Sequence, residues 1–360
     1  MSALELKELT KSSGKGDIIR KLDLKVEPGT LMVLTGSDHA AASLLLKLIA
    51  GLEDNDGGRI YVNGRDVTLA DPQHRDVRMV FSTPSLLPQL NVAQNIAVGL
   101  RLKHRRADEI KILVADAAQA LGITNLLELK ASRLTVAQSQ RVALCRALVS
   151  QPKLYLLDDP ALSLSGEERS AFRRDLKLLQ ERLGLTVIMA TSDPQDALTL
   201  GTQLAVLDRG ALQQTGIPEE IYRRPQSVTA WRCLSTLAVN LLEGVIGKEH
   251  HALFFASGPL RVTLDTYEFI RPVEAGQRVL LGLRAENFSL SPTEGGCRIT
   301  LPVSVSESNG ADALIVCACG NQSLCARVGA QSRPRGGDQV TLYCDPGRAS
   351  LFDAHSGLRV

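Results

Sequence analysis

The pattern of hydrophobic and polar positions along this chain changes at about residue 235. Residues 3–35 alternate apolar and polar side chains, which predicts antiparallel strands, and residues 59–64 predict a further strand that closes at a turn. Residues 91–150 carry Ala and Leu at spacings of three and four, and residues 168–183 form a charged stretch. Both stretches are predicted to be helical.

Three nearly continuous apolar runs in this first part are typical of strands buried on both faces of a parallel sheet. They occupy residues 153–158, 186–190 and 203–207, and they alternate with the predicted helices. Another apolar run at residues 31–34 leads into a loop, and a periodic segment that begins at Leu44 and ends near Gly51 predicts a helix. This alternation predicts an α/β domain over residues 1–235, with a helical subdomain at about 90–150.

Short alternating runs replace the helices after residue 235, for example at residues 278–283, 313–317 and 339–343. Turns rich in Gly and Pro separate such runs at residues 257–259, 294–296 and 334–337. This pattern predicts a small all-β domain, a barrel, over residues 236–360.

Composition limits the class of protein. The chain has 360 residues, enough for two domains with their own cores, and its 44% hydrophobic and 22% charged residues are typical of a soluble globular protein. The net charge of +2 gives no reason to expect nucleic acid or an anionic surface as a partner. Residues 1–15 lack the apolar core of a signal peptide, and no apolar run is long enough to span a bilayer.

The seven cysteines are scattered along the chain and odd in number. Only Cys317 and Cys319 lie close together, at a spacing that puts both thiols on one face of a strand. Metal binding is one interpretation of this pair, but core or surface thiols in a reducing cytosol are favoured. We therefore expect a cytosolic protein.

The segment that follows the apolar run at 31–34 has the frame of a phosphate-binding loop without its charge. In the pattern G-x-x-x-x-G-K-[ST], backbone N–H groups cradle phosphates and the lysine binds the β- and γ-phosphates. Gly36 and Ser43 hold its first and last positions, but Ala41 and Ala42 replace the Gly-Lys pair. The remnant loop comprises Gly36, Ser37, Asp38, His39, Ala40, Ala41, Ala42, Ser43 and Leu44.

Loss of the lysine removes about 1.5–3 kcal/mol, or about ten- to a hundredfold in affinity for a phosphate. Asp38 adds a carboxylate beside the position of a polyanion, and His39 crowds the approach of the backbone. Ser43 keeps the hydroxyl of the Mg²⁺ position. A merely structural strand–turn–helix is favoured over a working nucleotide site.

Four further segments follow this loop, at residues 79–88, 134–143, 156–160 and 190–193. Their order and spacing resemble those of the ATP-binding-cassette (ABC) ATPases, in particular the subunits that power maltose, glycerol phosphate, sulfate and polyamine importers. Residues 216–225 are similar to that subfamily's link to a second domain, and residues 282–287 to a strand of its C-terminal regulatory barrel. The resemblance runs the whole length and implies an ABC nucleotide-binding domain with a β-subdomain and a helical subdomain, followed by an OB-like (TOBE) barrel.

The resemblance implies roles that this chain fulfils only in part. In the family, a glutamine at the position of Ser82 reaches the metal and relays the nucleotide state to the membrane subunit, and serine is too short for that reach. Residues 86–88 beside it would form either a contact with the membrane subunit or plain packing. The family's signature is a Ser-Gly-Gly-Gln run whose helix N-terminus meets the γ-phosphate bound by the opposite subunit. The matching residues are Leu134, Thr135, Val136, Ala137 and Gln138, so both glycines are replaced.

The resemblance places altered residues at the acidic positions as well. Asp158 matches the acid that holds Mg²⁺ through water, while Asp159 replaces a longer glutamate that polarises the attacking water. An error of about 1 Å at such a place can cost about a hundredfold in rate. Ser165 replaces an aspartate that ends the next loop, and Ser192 replaces a histidine that contacts the γ-phosphate. Asp158, Asp159 and Ser192 are thus predicted remnants of a catalytic site, and Ser43 with Asp158 of a metal site.

These features predict a degenerate ATPase subunit of a binding-protein-dependent importer, peripheral to the cytoplasmic face of the inner membrane. ATP and Mg²⁺ would be held mainly by an intact paralogous ATPase subunit, in a heterodimer beneath two permease subunits and with a solute-binding protein as an indirect partner. Sugars, polyols such as glycerol, or their phosphates are the expected solutes by analogy. Two alternatives stay open: a regulatory or scaffold protein built on the cassette, and an active ATPase with unorthodox residues.

Overall fold

The computed structural model describes residues 2–14, 16–250, 252–293, 296–308, 310–329, 332 and 334–360. The chain divides into two compact units, Met1–Pro218 and Glu219–Val360. The first unit combines helices with sheets and the second is built mainly of strands, which confirms the predicted fold class. Two short helices that lie before residue 235 group with the second unit, whereas the sequence placed them in the first.

The first unit contains one antiparallel sheet and one mainly parallel sheet among its described residues. Its strands are β1 (Leu4–Ser13), β2 (Gly16–Val26), β3 (Leu31–Gly36), β4 (Gly57–Val62), β5 (Arg65–Asp66), β6 (Val77–Val80), β7 (Leu154–Asp158), β8 (Val187–Ala190), β9 (Gln203–Asp208) and β10 (Ala211–Gly216). The antiparallel sheet has the order β2-β1-β4-β5, and the larger sheet has the order β10-β9-β3-β8-β7-β6. Only β10 runs antiparallel to its neighbour in the larger sheet.

The buried apolar runs of the sequence became the centre of this larger sheet, as predicted. Every residue of β7 and β8 is buried. The helices of the first unit are α1 (His39–Ala50), α2 (Val92–Leu102), α3 (Ala107–Ala120), α4 (Val136–Leu148), α5 (Gly166–Leu183) and α6 (Pro194–Leu200). Short 3-10 helices lie at Pro72–His74, Thr124–Leu126 and Ala131–Arg133. Three of the α-helices, α2 to α4, occupy the segment predicted to be helical at residues 91–150.

The predicted start of the first helix was wrong. Helix α1 begins at His39 rather than at Leu44, because Asp38 caps it and three alanines follow. Alanine has the highest helix propensity of all residues, and aspartate is among the preferred N-cap residues. Residues that a phosphate loop would keep in an open turn therefore lie in the first turn of a helix, and α1 packs its apolar face into the core between the two sheets.

The second unit has two five-stranded sheets among its described residues. Its strands are β11 (Val239–Glu249), β12 (Ala252–Ser257), β13 (Leu260–Thr263), β14 (Arg278–Arg284), β15 (Phe288–Ser289), β16 (Cys297–Ser308), β17 (Asp312–Cys319), β18 (Gln322–Gly329), β19 (Gln339–Cys344) and β20 (Ser350–Asp353). The sheet orders are β13-β12-β11-β14-β20 and β15-β19-β16-β17-β18, and inward side chains of both sheets share one core. The turn predicted at 294–296 lies partly outside the described residues.

The helices of the second unit are α7 (Pro218–Arg223) and α8 (Val228–Cys233), with 3-10 helices at Ala285–Asn287 and Pro346–Arg348. Arg284, which is 5% exposed, joins these helices to the barrel because its guanidinium lies 3.8 Å from the ring centre of Tyr222 and 5.2 Å from that of Trp231. The Tyr222 hydroxyl donates a hydrogen bond to Glu286. The two segments that the sequence singled out at 216–225 and 282–287 thus contact each other.

Candidate functional site

Gly36 ends β3 at the point where this strand lies against β9. A Cβ atom at Gly36 would lie 1.8 Å from the carbonyl oxygen of Leu207, so only glycine fits there. The Ser37 N–H donates to the same carbonyl at 3.3 Å, and the Ser37 hydroxyl donates to Asp208 Oδ1 at 2.5 Å. The packing of these two strands alone therefore requires glycine at the first position of the remnant loop, whether or not a nucleotide binds.

Asp38 occupies the N-cap position of α1. Its Oδ1 accepts hydrogen bonds from the N–H groups of Ala40 at 2.9 Å and Ala41 at 3.3 Å. Backbone N–H groups of a first helical turn have no partner within the helix, and in phosphate-binding loops they bind the anion. The Asp38 carboxylate accepts the hydrogen bonds that a phosphate group would otherwise accept.

His39 lies against the acidic end of β7. Its Nε2 is 3.9 Å from Asp158 Oδ1 and 3.7 Å from Asp159 Oδ2, so a protonated imidazole pairs with both carboxylates. Its Nδ1 is buried and makes no hydrogen bond to the described residues. The imidazole fills space beside the carboxylates.

Two hydroxyl groups contact the same acids. Ser43 Oγ donates to Asp158 Oδ1, and Ser192 Oγ donates to Asp159 Oδ2 at 3.2 Å. Asp159 is 2% exposed, and burial raises the pKa of its carboxyl above the ordinary value, although His39 and the hydrogen bonds from Ser192 oppose the rise. The structure thus brings together Ser43, Asp158, Asp159 and Ser192.

The two alanines that replace the Gly-Lys pair belong to the core. Ala41 and Ala42 are 0% and 1% exposed and pack in the same cluster as Leu45. No lysine or arginine stands at residues 36–44. The loop therefore presents one carboxylate and one imidazole, where a triphosphate needs a positive charge.

The signature segment forms the start of α4 as predicted, and its polar residues bond to each other. Thr135 is the N-cap, and its hydroxyl accepts from Gln138 N at 3.2 Å while Gln138 Oε1 accepts from Thr135 N at 3.0 Å. This reciprocal pair is a capping box. Val136, the first helical residue, is 49% exposed, and Ala137 follows it. The valine side chain stands at the helix N-terminus, where a phosphate would approach the amides.

Helix α4 also holds the loop at Ser82. Gln140 Nε2 donates to the carbonyl of Phe81 at 3.2 Å and to that of Ser82 at 2.6 Å. Further along, Arg146 Nη1 donates to the carbonyl of Ser85 at 2.7 Å. The loop backbone is thereby tied to the helix that begins with the signature.

Asn95 fixes the next part of this loop. Its side chain is fully buried, accepts from Leu87 N at 2.7 Å and donates to the carbonyls of Leu87 at 3.0 Å and Asn91 at 3.1 Å. Leu87 itself stays 40% exposed. A rigid loop with an exposed leucine agrees with either of the two interpretations of residues 86–88, a docking contact or plain packing.

Ser165 is the N-cap residue of α5, and Glu168 Oε2 accepts hydrogen bonds from its N–H at 3.1 Å and from its hydroxyl at 2.8 Å. Two ion pairs join α5 to α6, Arg169 with Asp193 at 2.5 Å and Arg173 with Asp196 at 3.1 Å. Burial raises the pKa of Asp196 to about 6, and the neighbouring Asp193 adds to the rise while Arg173 opposes it.

Comparison with known protein families identifies two regions of the chain. Residues 19–162 match the ABC transporter family, and residues 281–352 match the TOBE domain. Over 361 residues the chain is 34% identical to the sn-glycerol-3-phosphate import ATP-binding protein UgpC of Yersinia pseudotuberculosis serotype I (strain IP32953), covering 100% of this chain and 99% of that protein. This chain belongs to the ABC importer ATP-binding subunits with a C-terminal TOBE domain.

Other ABC proteins agree with this assignment. The sulfoquinovosyl glycerol transport ATP-binding protein SmoE of Agrobacterium fabrum (strain C58 / ATCC 33970) is 32% identical over 362 residues, with 98% of each chain covered. Among solved structures, cbiO1 from Clostridium perfringens, part of the ABC transporter complex cbiONQ, has a TM-score of 0.56. That match covers 61% of this chain and 90% of cbiO1 at 24% identity, and it supports the fold alone.

Membership of the ABC family implies binding of ATP and Mg²⁺, but the residues of this loop do not fit a bound triphosphate. Asp38 already accepts from two loop N–H groups, His39 lies beside the acids, and residues 36–44 contain no lysine or arginine. Ser43 and Asp158 lie together as in a Mg²⁺ site, yet they bond to each other. Nowhere in the described ranges are three or more His, Cys, Asp or Glu side chains arranged to hold a metal ion.

The interpretation of Cys317 and Cys319 as core thiols agrees with their burial at 0% and 2% exposure. In the part of the chain that the structure describes, none of the helices combines the length and apolarity required to cross a bilayer.

Three contacts at the site were missed by sequence reasoning. The fully buried Asn95 had a visible signal, because it is a polar residue on the apolar stripe that Val92, Ile96 and Leu100 form on α2. The bond between Ser37 and Asp208 had none, because it joins residues 171 positions apart. The N-cap role of Asp38 was readable from its residue type but was hidden by the assumption that the loop keeps its open form.

Proposed function

We propose that this chain is the catalytically silent ATP-binding-type subunit of a binding-protein-dependent ABC importer. The observation that carries the proposal is the pair of hydrogen bonds from Ala40 and Ala41 to the Asp38 carboxylate. In such a subunit the loop N–H groups already bond to the Asp38 carboxylate, so they add no binding energy for the β- and γ-phosphates of ATP. The negative charge of the carboxylate also repels these phosphates.

A homodimer of this chain would have two altered sites, so we propose that it pairs with a paralogous ABC subunit that keeps lysine, glutamate and histidine. In such a heterodimer the partner would hold ATP and Mg²⁺ against the Thr135–Gln138 segment of this chain, and the site at Asp38 would stay empty of nucleotide. The exposed Val136 at the helix N-terminus supports slow turnover even in the site that the partner completes. The pair would dock beneath two permease subunits at the cytoplasmic face of the inner membrane.

The relatives point to the class of solute. UgpC is named for import of sn-glycerol-3-phosphate and SmoE for transport of sulfoquinovosyl glycerol, and both cover nearly all of this chain. We propose a polyol or sugar, free or carrying a phosphate or sulfonate, as the transported solute. A solute-binding protein would deliver it, since specificity in such importers lies outside the ATPase subunit.

Co-purification tests this proposal. The full chain, tagged at one end and expressed in its own host, is recovered from detergent-solubilised membranes and its partners are identified by mass spectrometry. Recovery of a second ABC subunit that carries an intact phosphate loop, together with permeases, is the expected result. Recovery of permeases with only further copies of this chain would contradict the heterodimer. Recovery without permeases would favour the regulatory or scaffold role instead.

A further inference from the structure

Two cysteines face each other across neighbouring strands of the second unit. Cys297, the first residue of β16, is the register partner of Cys344, the last residue of β19. Directly opposed residues of an antiparallel pair have Cα atoms about 4.5–5.5 Å apart and side chains on the same face. Disulfides form at Cα separations of about 4.4–6.8 Å. Both thiols are free. The register of the two strands therefore allows a disulfide bond between them.

The sulfur of Cys297 has hydrogen-bond donors beside it. Cys297 Sγ accepts from the Thr263 N–H at 3.3 Å, and the Thr263 hydroxyl lies 3.3 Å from the same sulfur. Donors of this kind stabilise a thiolate, which is the nucleophilic form of cysteine. Thr263 is exposed and lines an open cleft of about 450 Å³ together with His250 and Arg261, and Cys297 itself is 9% exposed.

Cys344 has the opposite environment. Its side chain is fully buried, and burial raises its pKa to about 12, with a smaller contribution from the nearby Cys297. Cys344 therefore stays a protonated thiol at neutral pH. An oxidant that reaches the pair reacts first with Cys297, and Cys344 is placed to resolve the product.

We propose that Cys297 and Cys344 are a redox modification site, a dithiol that a peroxide converts reversibly into a cross-strand disulfide. The Cys297 thiolate attacks one peroxide oxygen, the O–O bond breaks, and the departing hydroxide takes up a proton as water, leaving a sulfenic acid. The Cys344 sulfur then attacks the sulfenic sulfur, and the second hydroxide leaves with the Cys344 proton as water. Two thiols are oxidised to one disulfide while one peroxide is reduced to two waters.

Three other cysteines on strands of this unit provide the matched control. Cys317, Cys319 and Cys325 have Leu324, Gln322 and Val316 as their register partners, so none of them opposes a thiol across its strand pair. Cys317 and Cys319 pack in the same core as Cys297 and Cys344, so the geometry singles out one pair among cysteines of one core.

Peptide mapping of the full chain tests the proposal. The protein is treated with hydrogen peroxide, its free thiols are alkylated, and it is digested without reductant. We expect a linked peptide that contains Cys297 and Cys344, that disappears with dithiothreitol, that is absent in C297S and C344S, and that persists in C325S. Linkage of Cys297 to another cysteine, or an oxidised Cys297 beside an alkylated Cys344, would overturn the proposal.

The rate of crosslinking tests the role of Thr263. Thr263→Val removes the hydroxyl but keeps the shape and the backbone N–H, so oxidation slows by roughly two- to tenfold, the range for one neutral hydrogen bond. Thr263→Ser retains the hydroxyl and is expected to oxidise at the rate of the original chain. Equal rates for all three proteins would contradict the assignment of Cys297 as the attacking thiol.

Discussion

At the scale of single residues, the proposed loss of nucleotide binding rests on Asp38 and His39 as well as on the missing lysine. Loss of one charged contact weakens binding by about ten- to a hundredfold. Here a phosphate would also have to displace the Asp38 carboxylate from two N–H groups and the His39 imidazole from the acids of β7. Asp38 opposes an anion through its charge and its hydrogen bonds, and His39 opposes it through the space that the imidazole fills.

Restoration of the loop should therefore require more than the lysine. Ala42→Lys alone is expected to leave ATP binding undetectable by calorimetry at sub-millimolar nucleotide, because Asp38 still holds the amides. When Ala42→Lys is combined with Asp38→Ala, His39→Gly and Ala41→Gly, ATP binding should become detectable at sub-millimolar nucleotide. This corresponds to a gain in affinity of at least about tenfold. Ala115→Lys on the exposed face of α3, in the same triple background, adds the same charge far from the loop and should give no gain. Binding restored by Ala42→Lys alone would contradict this account.

At the scale of elements, the Asp38 cap explains why residues of the remnant loop form the first turn of α1. A side-chain acceptor at the N-cap offsets the unpaired N–H groups of the first turn, and the three alanines that follow favour the helix. Removal of this acceptor should destabilise the helix start rather than the sheet.

Asp38→Ala is expected to lower the free energy of unfolding by about 1 kcal/mol, the usual effect of losing an N-cap acceptor. Asp38→Asn keeps an acceptor of the same shape and should cost clearly less, which separates capping from charge. Urea denaturation of the three proteins followed by circular dichroism measures both values. An equal loss in the two variants would show that the charge of Asp38, not its cap, stabilises α1.

The ion pairs between α5 and α6 lead to a prediction about how the stability of the protein depends on pH. Asp196 has an ordinary pKa of 3.8 when unfolded and about 6 when folded, so between these values the folded chain binds more protons than the unfolded chain. Its contribution to stability therefore falls as pH rises through this window, by about 3 kcal/mol in total. Asp196→Asn lacks this titration. The stability of the original chain relative to the variant should fall between pH 4 and pH 7, and a difference that stays flat or rises would contradict the assignment.

Elements were predictable from the sequence to the extent that their signals are local. The strand Leu154–Asp158 was readable because five consecutive buried residues leave a continuous apolar run. The start of α1 was not, because the choice between an open loop and a helical turn depends on whether Asp38 accepts from the chain or a phosphate takes its place. Only glycine fits at position 36 because the Leu207 carbonyl, which is far away in sequence, lies next to it on the neighbouring strand. The residues around Gly36 do not predict this contact.

At the scale of the whole molecule, the chemistry of the site and the stability of the fold are separable. The core between the sheets retains its buried strands, and Ala41 and Ala42 have joined it. Changes that remove charge from a solvent-lined site usually alter stability by about 0.5 kcal/mol or less. A chain can therefore keep an ABC fold, dock as a subunit and leave hydrolysis to a partner.

Calorimetric titration of the isolated full-length chain with Mg-ATP measures whether this loop binds a triphosphate at all. We expect no detectable heat of binding at sub-millimolar nucleotide, whereas the restored variant, titrated in the same way, should bind. Stoichiometric binding by the original chain in that range, abolished by Ser43→Ala, would show that its own loop holds ATP and would contradict the account.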